Sequence, residues 1–237
     1  MSGGVEADVR VRDVFANVAG VAFDFDGVLV DSVDVKTRAF AALYADDDPA
    51  LQAEVVRHHL AHGGISRHHK LAHYERLRTG TDPDPERLAT LADRFARTVK
   101  EQVIAAPELP GATALLTALA TRLPLFVASG TPEDELRDIV TARGWDAHFT
   151  AVLGSPDDKA TILTGIAARL GRAARDLVLL GDAATDREGA RTAGARFVLV
   201  GPEDRAAGAD EPRVDDPAGL LRILEGGGEV GPTSIHA

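Results

Sequence analysis

The fold of this chain is restricted above all by the segment VAGVAFDFDG at residues 18–27. A short, nearly continuous apolar run that ends in acidic residues and a glycine is typical of a buried strand in a parallel sheet. Because side chains two positions apart on a strand point to the same side, Asp24 and Asp26 are predicted to face one site. Two close carboxylates suit a metal site, an acid/base pair or a nucleophile beside an acid. The same pattern also arises by chance in a turn of an acidic protein.

Four more segments with the pattern of strands follow, and helical patterns separate them. The predicted strands cover residues 123–130, 149–154, 176–182 and 196–201, and a closing helix covers 216–226. Strands that alternate with helices predict an α/β fold with a doubly wound parallel sheet. Ligands bind such sheets at the carboxyl ends of the strands, so a site is expected there.

A block of helical patterns interrupts this alternation after the first strand. Its segments carry apolar residues three or four positions apart and cover residues 35–45, 51–62, 66–78 and 85–106. We therefore predict an α/β core formed by residues 1–32 and 107–237, with a helical cap domain inserted at 33–106. Residues 201–217 are predicted to form a loop, and residues 225–237 a flexible tail.

Composition excludes several classes of protein. The 26 lysines and arginines against 37 acidic residues give a net charge of −11, and the aromatic content is 5 %. Both features argue against a nucleic-acid partner. The lack of cysteine excludes disulfides and thiolate metal sites. No apolar run approaches the length of a membrane span, and the N-terminal residues lack the apolar stretch of a signal peptide, so we expect a cytoplasmic protein without a membrane partner.

Small polar residues follow the second predicted strand, where the sequence reads Ser129-Gly130-Thr131-Pro132. Thr131 is predicted to cap the next helix, with Pro132 in its first turn. Ser129 is not needed as a cap, and it lies where free N–H groups of a helix N-terminus would hold a phosphate oxygen. A serine at a strand end is also common simply because it is small.

Charged residues begin the two helices that follow. Lys159 lies in the first turn of its helix, where a cation opposes the helix dipole, in a chain with four lysines and 22 arginines. It either anchors an anion or is a solvated lysine offset by Asp157 and Asp158. Asp182 and Asp186 lie four positions apart at the next strand–helix junction, where the alternative is a helix cap and a solvated helix residue.

These segments, taken in order, resemble the motifs of a known family. DFDGVLVDS at 24–32, VASGT at 127–131, the Lys159 segment and GDAATD at 181–186 are similar to the four motifs of the haloacid dehalogenase superfamily. The resemblance spans residues 18–200, and the helical block resembles the α-helical cap of the phosphoglycolate-phosphatase and β-phosphoglucomutase branch. It implies a Mg²⁺-dependent phosphatase that acts on a small phosphorylated metabolite of sugar, polyol or glycolate type.

The resemblance also implies roles for the acidic residues. Asp24 matches the nucleophile that forms an aspartyl-phosphate, and Asp26 matches the general acid that protonates the leaving oxygen and later activates water. Mg²⁺ would be held by Asp24, the backbone carbonyl of Asp26, Asp182 and water, which is oxygen ligation suited to a hard cation. Asp186 would support these ligands or bind the ion through water.

Further residues match the part of the family site that holds phosphate. Ser129 and Lys159 match the residues that bind the transferring phosphoryl oxygens, with Gly130 beside them. Gly27 would allow a tight turn and offer its N–H group.

Three other activities can be weighed on the same motifs. Dehalogenases of the superfamily lack the second aspartate of the first motif, so Asp26 argues against one. Phosphosugar mutases of the β-phosphoglucomutase kind carry a histidine where this chain has Lys36, which favours a hydrolase and leaves the mutase as the alternative. A non-catalytic binding protein on the same fold is less consistent with intact acids at positions 24, 26 and 182.

The segment Gly63-Gly64-Ile65-Ser66-Arg67 resembles the glycine-x-Ser-Arg loop with which such caps reach into the active site. Ser66 is predicted to cap the helix that follows. The resemblance implies that Arg67, with Lys70, binds hydroxyls, a carboxylate or a second phosphate of the leaving group. The alternative is a helix–helix turn with a solvated arginine.

Six of the eight histidines fall in the cap. They are His58, His59, His62, His68, His69 and His73. The spacing of His58 with His62, and of His69 with His73, allows zinc binding on a helix. No carboxylate lies in register with them, so we predict a polar helix face instead.

Overall fold

The computed structural model of the chain describes residues 2–202 and 210–226. The α-helices in these residues are α1 Ser2–Phe15, α2 Val33–Leu43, α3 Pro49–Ala61, α4 Arg67–Thr79, α5 Pro85–Ala105, α6 Ala112–Ala120, α7 Glu133–Ala142, α8 Lys159–Leu170, α9 Ala184–Ala193 and α10 Pro217–Glu225. The strands are β1 Gly20–Phe23, β2 Leu125–Pro132, β3 Ala151–Ser155, β4 Leu177–Gly181, β5 Arg196–Val200 and β6 Arg213–Val214.

The strands form one parallel sheet in the order β3-β2-β1-β4-β5-β6. The chain moves outward from β1 in one direction and then returns to build the other half, which confirms the predicted doubly wound α/β fold. Because β1 is central, the residues that follow it lie between the ends of β2 and β4. Strand order thus places the Asp24 segment beside the segments after Ser129 and Gly181.

Side chains of the strands alternate between the two faces of the sheet, and both faces are buried. One face joins the main hydrophobic cluster through Val21, Phe23, Leu125, Val127, Val178 and Leu180. The other face packs on α8 and α9 through Ala22, Phe126, Ala128, Leu177 and Leu179. Covering both faces with helices is the normal requirement of a parallel sheet.

Two elements differ from the sequence-based expectation. β6 lies within residues 201–217, where we predicted only loop, and it pairs with β5 through Leu199–Arg213 and Val200–Val214. A two-residue strand is too short to show a period in the sequence. Helix α1 was also not predicted, although Val11 and Phe15 lie one helical turn apart and are buried in the main cluster.

Helices α2–α5, which we call the helical insertion, separate β1 from β2 in the chain, as expected. An aromatic cluster joins three of them, since the Phe40 ring of α2 lies 5.7 Å from Tyr74 of α4 and 4.2 Å from Phe95 of α5. The division into a core and a cap domain at residues 33–106 stays a prediction. Most of the predicted tail, residues 227–237, lies outside the described residues.

Helix α5 is the longest of the described helices, at 21 residues. It carries charged side chains throughout, and across residues 2–202 and 210–226 no helix combines the length and apolar character that a membrane span needs.

Candidate active site

Asp24 directly follows β1 and is buried, with 3 % of its surface exposed. Its N–H donates to the carbonyl of Leu180 at 2.8 Å, so the backbone is still held by the sheet. Its Oδ1 accepts a hydrogen bond from the N–H of Phe25 at 2.7 Å. The carboxylate is therefore fixed at the carboxyl end of the central strand, where the sequence predicted it.

Lys159 is the first residue of α8 and its side chain is also buried. Asp158 caps this helix by accepting from the N–H of Thr161 at 2.8 Å. The ammonium lies 2.9 Å from Asp24 Oδ2 and donates to Asp186 Oδ1. Burial disfavours the charged lysine, but the two carboxylates outweigh it and raise the pKa of Lys159. Lys159 therefore keeps its positive charge next to the Asp24 carboxylate.

Asp186 is fully buried and holds the loop after β4. Its Oδ2 accepts hydrogen bonds from the N–H groups of Asp182 and Ala183, each at 3.1 Å. A Cβ atom on Gly181 would lie 2.4 Å from the Cβ of Asp186, so only glycine allows this approach. Asp186 therefore orients the segment that carries Asp182.

Gly27 makes the turn after the Asp24 segment with φ of +80°. A Cβ atom here would lie 2.3 Å from Asp182 Oδ2, so a larger residue would collide with that carboxylate as well as strain the backbone. The predicted tight turn is therefore present, but the prediction that Gly27 offers its N–H group to a ligand is wrong, because that N–H donates to the Val30 carbonyl at 2.8 Å.

Asp24, Asp182 and Asp186 are the one set of three potential metal ligands in the described residues whose ligand atoms lie within 4.8 Å of one another. Burial raises the pKa of Asp24 strongly; Lys159 opposes this, while the charges of Asp186, Asp182 and Asp26 add to it. A hard divalent cation would relieve this repulsion, and the donors are all oxygen atoms. The donor set therefore fits Mg²⁺.

Asp26 is bound at both of its carboxylate oxygens. The hydroxyl of Ser32 donates to Oδ1 at 2.6 Å, and Lys36 donates to Oδ2. Burial alone would raise the pKa of Asp26, but the charge and hydrogen bond of Lys36, together with Ser32, lower it. Sequence reasoning used Lys36 only to separate hydrolase from mutase, and it missed this contact. The sequence pattern that could have predicted this contact is a lysine at the start of the helix that directly follows the acidic motif.

Thr131 does not cap α7, contrary to our prediction. β2 continues to Pro132, which occupies the N-cap position, and α7 begins at Glu133. The Thr131 hydroxyl accepts from Lys36 Nζ at 2.8 Å and lies 3.5 Å from Asp26 Oδ2. Pro132 pairs with Ser155 of β3, so β2 runs two residues past its predicted end and Thr131 lies within the strand rather than at a helix start.

Ser129 is the fifth buried residue of β2, and Gly130 after it is half-buried. Ser129 is 2 % exposed, and its hydroxyl accepts the N–H of Thr131 at 3.2 Å. A Cβ atom on Gly130 would lie 2.2 Å from the carbonyl oxygen of Gly64 in the helical insertion. The insertion thus packs directly on this strand end.

The loop between α3 and α4 reaches the core at further points. The Thr185 hydroxyl donates to the Gly63 carbonyl. Arg67 is 5 % exposed, its guanidinium carbon lies 4.8 Å from the Phe95 ring centre, and it forms an ion pair of 2.5 Å with Glu135 of α7. The expected reach of the loop toward the site is therefore present, and the partner Glu135 was not foreseen.

The cap histidines divide into different environments. His58 lies between His62 and His73, with ring centres 4.1 and 4.2 Å away, and burial with these neighbours lowers the pKa of His58 to about 4. His68 and His69 are exposed, whereas His59 is buried. No three of these histidines meet the ligand spacing found for the aspartates, within the described part of the chain.

A cavity of about 430 Å³ lies between the sheet edge and the insertion. Its wall includes residues of the core, Asp24, Asp26, Ser129, Gly130 and Asp182, and residues of the helical insertion, Lys36, His59, Arg67 and Lys70. Lys159 is not part of this wall, but its Nζ lies 2.9 Å from Oδ2 of Asp24, which is. A buried carboxylate, a cation beside it and a cavity that can hold a small molecule are therefore combined in one place.

Comparisons with known proteins give a consistent picture. A family model described as haloacid dehalogenase-like hydrolase matches residues 18–194. The chain is 29 % identical over 192 residues to the phosphoglycolate phosphatase of Chromobacterium violaceum, covering 78 % of this chain and 86 % of that protein. It is 31 % identical over 190 residues to the phosphoglycolate phosphatase of Rhodospirillum rubrum, covering 76 % and 78 %. The crystal structure of a hydrolase from Pseudomonas syringae superposes with a TM-score of 0.72 at 24 % identity, covering 89 % of this chain and all of that one (100 %).

Proposed function

Because the chain belongs to the haloacid dehalogenase-like hydrolase family, we propose that it hydrolyses a small organic phosphate monoester through an aspartyl-phosphate intermediate. The observation that carries this proposal is the buried Asp24 carboxylate with Lys159 Nζ at 2.9 Å. A carboxylate nucleophile needs positive charge beside it to approach a phosphate dianion, and Lys159 supplies such charge.

The proposed reaction has two steps. Asp24 attacks phosphorus, the bond from phosphorus to the alcohol oxygen breaks, and Asp26 passes a proton to that oxygen. Because Lys36 and Ser32 lower the pKa of Asp26 in the substrate-free protein, Asp26 would take up this proton from solvent when the substrate binds, since the negative charge of the phosphate favours the protonated carboxyl. Asp26 then removes a proton from a water molecule, which attacks the phosphorus of the aspartyl-phosphate. Inorganic phosphate leaves, and the carboxylate of Asp24 is restored. Ser32, Lys36 and Thr131 hold Asp26 in place for both transfers.

The remaining residues at the strand ends bind the transferring group. Lys159 neutralises charge on the phosphoryl oxygens, while the Ser129 hydroxyl and the N–H group of Gly130 offer hydrogen bonds. Fixed donors of this kind stabilise the transition state because they need no rearrangement during the reaction.

We propose Mg²⁺ as the cofactor. Asp24, the backbone carbonyl of Asp26 and Asp182 would hold it, and Asp186, which accepts from the Asp182 N–H, would support this set. When bound, the ion reduces the repulsion between the carboxylate nucleophile and the phosphate. An all-oxygen site of aspartates favours a hard cation over zinc or copper.

The cavity limits the substrate to a small molecule, since its volume of about 430 Å³ is near the lower end for ligand pockets. Arg67 and Lys70 of the helical insertion line it and are proposed to contact the leaving group. The relatives reported above are phosphoglycolate phosphatases, and 2-phosphoglycolate is therefore included among the substrates to be tested.

The test is phosphate release from a panel of glycolate, sugar, polyol and nucleotide phosphates, with Mg²⁺ and with EDTA. Wild-type protein should release phosphate from at least one ester with Mg²⁺, and Asp24→Asn should release none. Release by Asp24→Asn at the wild-type rate, after deamidation to Asp is excluded, would contradict the proposal. Interconversion of glucose phosphates without release would instead identify a mutase.

A further inference from the structure

The helical insertion contacts the core in two different ways. Ion pairs link it to α7, namely Arg67 with Glu135 and the surface residue Lys100 with Asp138. The loop that joins α3 to α4, residues 62–66, packs instead on β2 and on the first turns of α8 and α9. This loop therefore meets the residues that are proposed to bind the transferring phosphate.

Gly64 brings the backbone of this loop against the Lys159 ammonium. Its φ is +75°, and a Cβ atom on it would lie 3.2 Å from Lys159 Nζ and 3.0 Å from Asp186 Oδ1. The Gly64 carbonyl oxygen packs equally closely on Gly130, as described above. Because both contacts need glycine, the loop backbone fills the space beside the ammonium and leaves no room there for water.

The loop also forms a partition between two cavities. The cavity described above holds Asp24 and Asp26, and it shares part of its lining with a second cavity of about 310 Å³. The residues that line both are Gly64, Ile65, Ser129 and Gly130. The second cavity also reaches Lys159, and it opens to solvent between exposed residues that include His69, Asp157 and Thr192. Movement of the loop would therefore join the two cavities and admit water to the Lys159 ammonium.

Thr185 holds this loop from the core side. It lies in the first turn of α9, is half-buried, and donates its hydroxyl hydrogen to the Gly63 carbonyl. The start of the helix does not need this hydroxyl, because Asp186 already accepts the N–H of Ala183. Thr185 lines the second cavity and not the first, so it lies outside the space proposed for the substrate. Its hydrogen bond therefore acts on the loop and not on a bound ester.

We propose that Thr185 is a positioning residue, whose hydrogen bond to Gly63 holds the loop over Lys159 and keeps water from the ammonium during phosphoryl transfer. This inference rests on the proposed phosphatase function. A cation stabilises charge on a phosphoryl group more strongly where water does not screen it. Since Lys159 would meet the transferring group of every ester, Thr185 should affect all esters alike. Arg67 should differ, because it would affect only esters with polar groups on the alcohol part.

Steady-state kinetics with Mg²⁺, on p-nitrophenyl phosphate and on the best ester of the panel, tests the effect on catalysis. Thr185→Val keeps the shape of the side chain without the hydroxyl, so kcat should fall by about 5-fold on both esters, as expected for one neutral hydrogen bond. KM should stay within about 2-fold of the wild-type value, because no contact with substrate is lost. Thr185→Ser keeps the hydroxyl and should restore kcat. Thr192→Val, on the exposed side of the same helix, is the matched control and should behave as wild type. A loss on one ester only, a raised KM with kcat unchanged, or no rescue by Thr185→Ser would overturn the inference.

The position of the loop can be measured without turnover, because the chain contains no cysteine. Ile65→Cys places a single thiol in the loop, and its rate of reaction with an aromatic disulfide reagent reports how often the loop opens. Adding Thr185→Val should raise this rate by about 5-fold, whereas adding Thr185→Ser or Thr192→Val should leave it unchanged. An unchanged rate with Thr185→Val would overturn the inference, whatever the activity of the protein. A raised rate in a protein whose wild type hydrolyses no ester would contradict only the proposed function.

Discussion

The ammonium of Lys159 lies 2.9 Å from Asp24 Oδ2 and also donates to Asp186, so one buried cation joins the proposed nucleophile to the acid that orients the β4 loop. Two carboxylates and one cation leave a net negative charge. This negative charge favours binding of a divalent cation beside Asp24. Lys159 and that cation would then both neutralise the charge of a bound phosphate.

Replacing Lys159 should damage catalysis more than substrate affinity. Lys159→Met removes a cation that is expected to bind the phosphoryl group most strongly in the transition state, so kcat should fall by about 10³-fold. Steady-state kinetics on the best ester of the panel measures this, with Lys100→Met as the control for loss of a lysine. A variant with unchanged kcat would show that Lys159 has only a structural role.

Mg²⁺ should stabilise the folded protein through Asp182. At a concentration 100 times its Kd, a ligand raises the free energy of unfolding by about 2.7 kcal/mol, which thermal unfolding detects. The shift should appear with Mg²⁺ in wild-type protein and be largely absent in Asp182→Asn. Equal shifts in both proteins would place the ion elsewhere.

Lys36 should affect the chemical step by orienting Asp26. Lys36→Met leaves Ser32 and Thr131 as the hydrogen-bonding partners of that carboxylate, so the proton donor becomes less well oriented. We expect kcat to fall by about 10-fold with KM changed less, because misorientation affects proton transfer rather than binding. A rise in KM with kcat unchanged would indicate that Lys36 binds the substrate instead.

The positions of the core site residues were predictable because local patterns determine them. Apolar runs locate the strands, and a doubly wound sheet gathers strand ends, so Asp24, Ser129, Lys159 and Asp182 could be brought together from sequence. Contacts between distant segments were not predictable. The Arg67–Glu135 pair joins residues 68 positions apart, and it depends on how the insertion packs on α7. The Lys36 contact similarly depends on the path from β1 into α2.

Glu135 should act on substrate recognition through Arg67. Arg67→Ala should lower kcat/KM for the best small ester by about 10²-fold and leave p-nitrophenyl phosphate nearly unchanged, since that ester lacks polar groups for Arg67 to bind. Glu135→Gln weakens the anchor of the guanidinium and should raise KM for the same ester by about 10-fold. Equal losses on both esters would show that the pair acts by holding the insertion on the core.

The stability of the substrate-free protein should rise with pH because of Lys70. Burial lowers the pKa of Lys70 to about 7 in the folded protein, from its usual 10.5. Between these values the unfolded chain binds one more proton, so the free energy of unfolding increases with pH by up to about 1.4 kcal/mol per unit. The groups that act on Lys70 are Lys36, Asp26 and Asp24, with His59 in contact.

Urea unfolding at pH 7, 8 and 9 in EDTA measures this dependence. Lys70→Met should be more stable than wild type at pH 7, and the difference should shrink as the pH rises, because deprotonation removes the cost of the buried charge. His58 and His59 do not interfere, since their pKa values of about 4 and about 3 lie below the range. Lys100→Met should follow the wild-type curve. Parallel curves for wild type and Lys70→Met would mean that Lys70 keeps its charge throughout, with a counter-charge that the folded protein itself provides.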